Sequence, residues 1–454
     1  MTTLLPPVDL TAVAGPVLRP GDPGWRTEIA GFNLTFTPTP ALVVGATCTA
    51  DVAAAVRYAA SVGKRVAVQA TGHGLMSDLD DAVLVTTRRM TNVVIDPVAR
   101  TARVAAGVRW RAVIDAAAEH GLAPLSGSSS QVGVVGYTTG GGLGPLCRRY
   151  GFAADHVTRF TIVTADGAVR DVRAESTDPD DVDLFWAVRG GKGSFGIVTE
   201  IEFGLVPVTT FHGGALFFAG EDAATVVHAW RQWAPTLPED TTTSVALLRL
   251  PPTPELPEPL RGRFVVTVRF THLGSEGPAL LAPMRAAAPV IMDAVADLPF
   301  AAIDAVHMDP TDPMPVWDRG VALSALPAAA VDAVLAQAGP DVRSPLSIVE
   351  IRLLGGALAR QPRIPNAVTG RDAAFSVFTA GVTAASSVEA VAAAGAGVVE
   401  ALRPWANGCL INFLGQAGPE RVGQLWSPAD RARLLAIRER FDPAALLATN
   451  IFVG

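Results

Sequence analysis

A histidine sits between two glycines at the end of a strand-like run, Ala67-Val68-Gln69-Ala70-Thr71-Gly72-His73-Gly74. Glycines free the flanking N–H groups to turn toward an anion, the physics by which a backbone nest holds phosphate. In isolation a histidine such as His73 is more often an ordinary loop residue than a reactive one, but none of the other six histidines has this setting. A second stretch, from Gly127-Ser128-Ser129-Ser130-Gln131-Val132-Gly133 through Gly136, Tyr137, Gly140, Gly141, Gly142 and Gly144, is dense in glycine yet interleaved with Val, Tyr and Leu. A flexible linker would lack those apolar residues, so this is backbone that lies close against a flat ligand. The third stretch, Arg189-Gly190-Gly191-Lys192-Gly193-Ser194-Phe195-Gly196-Ile197-Val198, contains a literal GxGxxG. A dinucleotide fingerprint follows a strand and opens a helix, whereas these glycines follow a short helix and lead into a strand. Nor is it a P-loop, because the lysine is not followed by Ser or Thr.

The elements that must carry these loops are mixed. Residues 49–63 have helical spacing, with Thr49 as the expected N-cap and Gly63 as a stop, and residues 66–69 follow as a strand. Strands are expected at 93–96, 101–105 and 197–203, a helix at 110–120, and a hairpin joining 160–164 to 168–172 through Asp166-Gly167. From Pro207 onward proline clusters separate strands such as 264–270 from Ala-rich helices, the last beginning near Ser386-Ser387. With 454 residues and 49% hydrophobic content the chain can fill two cores. The expected class is α+β: residues 1–205 form one domain, 206–404 an inserted second domain, and 405–454 return to the first.

Net charge is −7 with scattered Lys and Arg, so no basic stripe is available for nucleic acid. Cys48, Cys147 and Cys409 are far apart, which argues against a disulfide framework or a zinc site and fits a reducing compartment. The N-terminus lacks the pattern of a secretory signal and no apolar run is long enough to span a bilayer, so a soluble cytoplasmic protein without a membrane partner is expected.

Taken together, the His73 loop, the Gly133 to Gly144 loop, Asp183-Leu184-Phe185-Trp186-Ala187-Val188-Arg189-Gly190-Gly191, and the ending with Asn412-Phe413-Leu414-Gly415 and Phe441-Asp442-Pro443 resemble the vanillyl-alcohol oxidase and p-cresol methylhydroxylase (PCMH) superfamily. Within it, the bacterial berberine bridge enzyme-like oxidases are most similar. The resemblance implies a PCMH-type FAD-binding domain of two α+β subdomains, with an inserted substrate domain built on an antiparallel sheet covered by helices. It implies FAD covalently bound through His73. Some relatives add a second link through a cysteine at the position of Ser129, and serine cannot form a thioether, so a single linkage is expected. Ala70, Thr71, Gly72, Gly74, Ser129, Val132, Gly133, Gly136, Tyr137, Gly140, Gly141, Gly142 and Gly144 are the implied cofactor cradle, with Ile197 and Val198 near the adenine and Asn412 and Asn450 returning from the C-terminal segment.

The implied chemistry is hydride transfer from a small alcohol, amine or phenolic substrate to flavin N5, with molecular oxygen as acceptor; a step in secondary metabolism fits. Such a reaction needs a base. Glu350 is the candidate, weighed against a solvent-facing strand carboxylate or a plain neighbour of Arg352. Many relatives carry a catalytic tyrosine where this chain has Leu410. Val132 stands where a small residue admits oxygen in relatives. An oxygenase or ring-forming enzyme, or a binding protein that has lost the chemistry, are the alternatives. Substrate identity and oligomeric state are not legible from sequence.

Overall fold

The computed structural model describes residues 9–74, 79–417 and 419–448. The expected α+β class holds. Val17–Leu18, Leu42–Gly45, Val83–Thr86 and Val66–Gln69 form a four-stranded sheet in that spatial order. Its three longer strands run parallel, and the helix Thr49–Ser61 packs its Val52, Val56 and Ala59 face against it. The N-cap of that helix is Cys48 rather than Thr49. No side chain caps the first N–H groups of the helix; Asp51, in the first turn, instead ties down the chain outside the helix, its carboxylate accepting from Thr47 N at 2.8 Å and Ala14 N at 3.1 Å, while the Thr49 hydroxyl turns to Thr199. A first-turn carboxylate also suits the helix dipole.

A second sheet is antiparallel, in the order Val93–Asp96, Thr101–Ala105, Ile197–Gly204, Val157–Val163, Val169–Arg173. The hairpin at Asp166-Gly167 is present, with Gly167 at φ 75° and Val163 opposite Val169. The helix Trp110–Ala118 buries Trp110, Val113, Ile114 and Ala117 beneath it.

The third sheet is antiparallel and eight-stranded, built entirely from strands between Thr210 and Val382. Its strands do not alternate cleanly between apolar and polar, because both faces are covered. In Phe264–His272, Val266, Val268 and Phe270 face the helices Ala223–Trp233, Gly277–Arg285 and Ala328–Ala338. The opposite face carries Thr267, Arg269 and Thr271, buried as well. Trp230 anchors the helical layer, wholly buried, with its indole N–H donating to Thr243 Oγ1 at 3.1 Å. The Ala-rich helix is Val388–Ala401, capped by the Ser387 hydroxyl on Ala390 N.

After this sheet the chain returns to the first two. The helix Pro428–Phe441 lies against Pro179–Gly191, where Arg433 and Arg440 both bind Asp183. Val66 N then donates to Leu446 O and Ala448 N to Val66 O, both at 2.8 Å, which extends the parallel sheet by a bridge. Among the described residues no helix is long and apolar enough to cross a membrane.

Candidate functional site

The strand Val66–Gln69 ends in the loop that carries His73. Ala70, Thr71, Gly72, His73 and Gly74 all line a cavity of ≈400 Å³, within the range typical of small-molecule sites. The imidazole stacks on Phe32, ring centroids 3.9 Å apart and planes 16° from parallel. Its Nε2 lies 3.3 Å from the Gln131 carbonyl oxygen, which joins the first loop to the second. Burial, together with the nearby Arg109 charge, lowers the His73 pKa to about 4, so the ring is neutral at physiological pH.

From the second loop, Gly127, Ser128, Val132, Gly133, Gly136 and Tyr137 face the cavity. A Cβ on Gly136 would meet no protein atom within 4 Å, so this stretch of backbone lies open to whatever fills the space. The Tyr137 hydroxyl is buried without a hydrogen-bond partner among the described residues, and burial raises its pKa well above the ordinary value. Open glycine backbone, an orphaned hydroxyl and a neutral histidine at the rim suit a flat, polar cofactor such as FAD.

Several expected cradle residues are placed differently. Ser129 does not line the cavity; its Oγ accepts from Gln131 N at 3.3 Å, and the neighbouring Ser128 faces inward instead. Gly140, Gly141, Gly142 and Gly144 also lie off the cavity wall. Their lack of side chains serves protein-to-protein contact: a Cβ on Gly140 would lie 2.1 Å from Asn412 Oδ1, and one on Gly144 1.9 Å from Ser126 O. Asn412 thereby reaches in to donate to Tyr137 O at 2.8 Å, and it does line the cavity. Of the pair following the third glycine stretch, Val198 faces the cavity while Ile197 is packed in the core of the parallel sheet. Asn450 lies outside the described residues.

Glu350 requires a correction of role. It stands on Ile348–Leu353, on the sheet face opposite the helices, but its carboxylate is fully engaged. Oε1 accepts from Ser244 Oγ at 2.7 Å and Arg269 Nη1 at 2.6 Å, and Oε2 from Arg352 Nε at 2.8 Å. Burial would raise its pKa, but the two guanidinium charges outweigh that and hold it far below the carboxylate range. A carboxylate so stabilised is a poor proton acceptor at neutral pH. What reaches the cavity is its partner Arg352.

Sequence reasoning passed over two further ionisable wall residues, Asp318 and Lys192. Asp318, on Val316–Leu323, shares the sheet face opposite the helices with Phe378 and Arg352, and all three line the cavity. Lys192, dismissed above as part of a failed P-loop, lines it too. Both also border a small cavity of ≈40 Å³ beside His73. Burial lowers the Lys192 pKa to about 8, with Asp318 opposing the shift; burial raises the Asp318 pKa to about 6, with Lys192 opposing. A sequence signal for Lys192 existed: it is one of only two lysines in the chain, the other being Lys64.

Comparison with known proteins agrees with this geometry. Residues 40–173 match a family described as an FAD binding domain. The chain is 34% identical over 194 residues to (R)-6-hydroxynicotine oxidase of Paenarthrobacter nicotinovorans, a match covering 42% of this chain and 41% of that one, so it spans less than half of that relative's length. It is 27% identical over 460 residues, 95% of this chain and 96% of the relative, to an uncharacterized FAD-linked oxidoreductase, YvdP, of Bacillus subtilis. In fold it is similar to the crystal structure of 6-hydroxy-D-nicotine oxidase from Arthrobacter nicotinovorans, with a TM-score of 0.82, 23% identity and 98% of each chain covered.

Proposed function

We propose, from the premise that this chain belongs to the vanillyl-alcohol oxidase and p-cresol methylhydroxylase superfamily of FAD-linked proteins, that it is an oxidase carrying FAD through one covalent bond to His73. When bound, FAD supplies a hydride acceptor at N5. The observation that carries the reading is the His73–Gln131 contact. A carbonyl oxygen only accepts, so Nε2 must hold the ring proton and Nδ1 keeps its lone pair. With the ring neutral and clamped by Phe32, that lone pair is available to bond the flavin 8α carbon. Cys147 and Cys409 are buried and neither lines the cavity, and Ser129 has no thiol, which favours a single linkage.

The glycine loops would hold the cofactor by backbone N–H groups, with Asn412 fixing the second loop through Tyr137. A small alcohol, amine or phenolic substrate would lie between them and the sheet face of Asp318, Phe378 and Arg352. Val132 lines the same cavity, at the place the family resemblance assigns to oxygen entry.

The test is the mass of the intact chain after denaturation, expected to exceed the sequence mass by one FAD. In His73→Ala the adduct should vanish while the chain still folds. An unmodified wild-type chain, or flavin retained by the variant after acid precipitation, refutes the linkage.

A further inference from the structure

We infer that Lys192 is the cation that promotes oxygen reduction in this site, with Asp318 as its positioning partner; this rests on the oxidase reading above.

The chain uses arginine almost everywhere, and its other lysine, Lys64, is a surface residue paired with Asp81 at 2.6 Å. Lys192 instead stands in the wall between the main cavity and the small one beside His73. Its backbone is at φ 55°, ψ −146°, a region that favours glycine, although glycines flank it on both sides. A lysine there is strained, and such strain clusters at active sites and ligand clamps. The other ionisable or charged groups lining the cavity are accounted for. His73 is neutral, Tyr137 is held protonated by burial, and Arg352 is bound to Glu350, which leaves Asp318 facing Lys192.

Oxygen becomes negatively charged as it accepts electrons, and a preorganised cation in a water-poor cavity stabilises that charge. Bound FAD, once reduced, would supply two electrons and one proton, so oxygen needs one further proton to leave as hydrogen peroxide. The Lys192 ammonium supplies both the charge and the second proton, which solvent then replaces. Because its pKa is lowered to about 8, it is charged below that pH and loses its charge above it. Reoxidation therefore slows as pH rises through about 8. Removing the Asp318 carboxylate leaves burial unopposed and moves that fall to lower pH.

The experiment reduces the holoenzyme anaerobically with dithionite, mixes it with air-saturated buffer and follows flavin absorbance across pH. Lys192→Met should slow reoxidation on the order of 100-fold, the usual loss for one preorganised electrostatic group. Lys192→Arg should restore much of the rate without the fall near pH 8, and Asp318→Asn should move that fall to lower pH. Independently, protein labelled with 13C only in lysine has two side-chain signals to titrate. The Lys192 signal should have its midpoint near 8, and lower in Asp318→Asn. A Lys192→Met rate equal to wild type, or a Lys192 midpoint at the ordinary lysine value, overturns the inference and leaves the oxidase reading intact. Wild-type enzyme that reoxidises no faster than free reduced flavin overturns both.

Discussion

Two sets of charges border one face of the large sheet, a buried one around Glu350 and a half-buried one made by Asp318 on the sheet and Lys192 on the glycine stretch beside it, and they are built in opposite ways. Around Glu350 both carboxylate oxygens have donors, and the ion pair with Arg269 is buried, at 5% and 1% side-chain exposure. Between Lys192 and Asp318 no hydrogen bond is made among the described residues, and both pKa values move toward neutrality rather than away from it. Hydrogen bonding to the charged form fixes ionisation, whereas burial with only a weakly coupled partner leaves a group able to exchange a proton. The first arrangement holds Arg352 in place against the cavity. The second is suited to chemistry, as perturbed groups in clefts commonly are.

The contrast can be broken most sharply at Glu350. Glu350→Gln leaves two buried guanidinium groups without their counter-ion and should cost about 3–5 kcal/mol, measured by urea unfolding. Because the folded-state pKa lies below the ordinary value, this stabilisation is complete above the unfolded pKa of about 4.3 and is lost as pH falls from there through the lower folded value. An unfolding midpoint unchanged from wild type would mean that the cluster is not the rigid element described.

Asp318 should behave in the reverse sense. Its folded pKa of about 6 lies above the unfolded value of about 3.9, so the native state takes up a proton first and becomes more stable as pH falls between them, by about 2–3 kcal/mol. Asp318→Asn should abolish that rise, seen as a flatter plot of unfolding free energy against pH. A smaller effect is expected from Ser244→Ala, which removes one donor from Glu350 and leaves both arginines, costing about 1.5 kcal/mol. A cost as large as that of Glu350→Gln would place the weight of the cluster on the hydroxyl instead of the guanidinium groups.

Much of the scaffold could be read before any coordinates. The Asp166-Gly167 hairpin, the strand leading to His73 and the helix after Cys48 follow from local spacing and turn chemistry, and only the cap shifted, from Thr49 to Cys48. Glu350 was rightly put on a strand, but its guanidinium partner Arg269 stands 81 residues earlier in the chain. No local pattern reports such a contact. The glycine loop was legible as a dense backbone segment, yet which glycines face a ligand and which face Asn412 or Ser126 depends on packing from distant segments.

Local chemistry alone thus established where the backbone must bend, which segments are strands or helices, and that one histidine sits in a loop fit for an anion. These are properties of short stretches governed by φ/ψ preference and hydrophobic period. The protonation behaviour of Glu350, Lys192 and Asp318 came from the assembled fold, because burial and the charge of a neighbour are set by residues far apart in the chain.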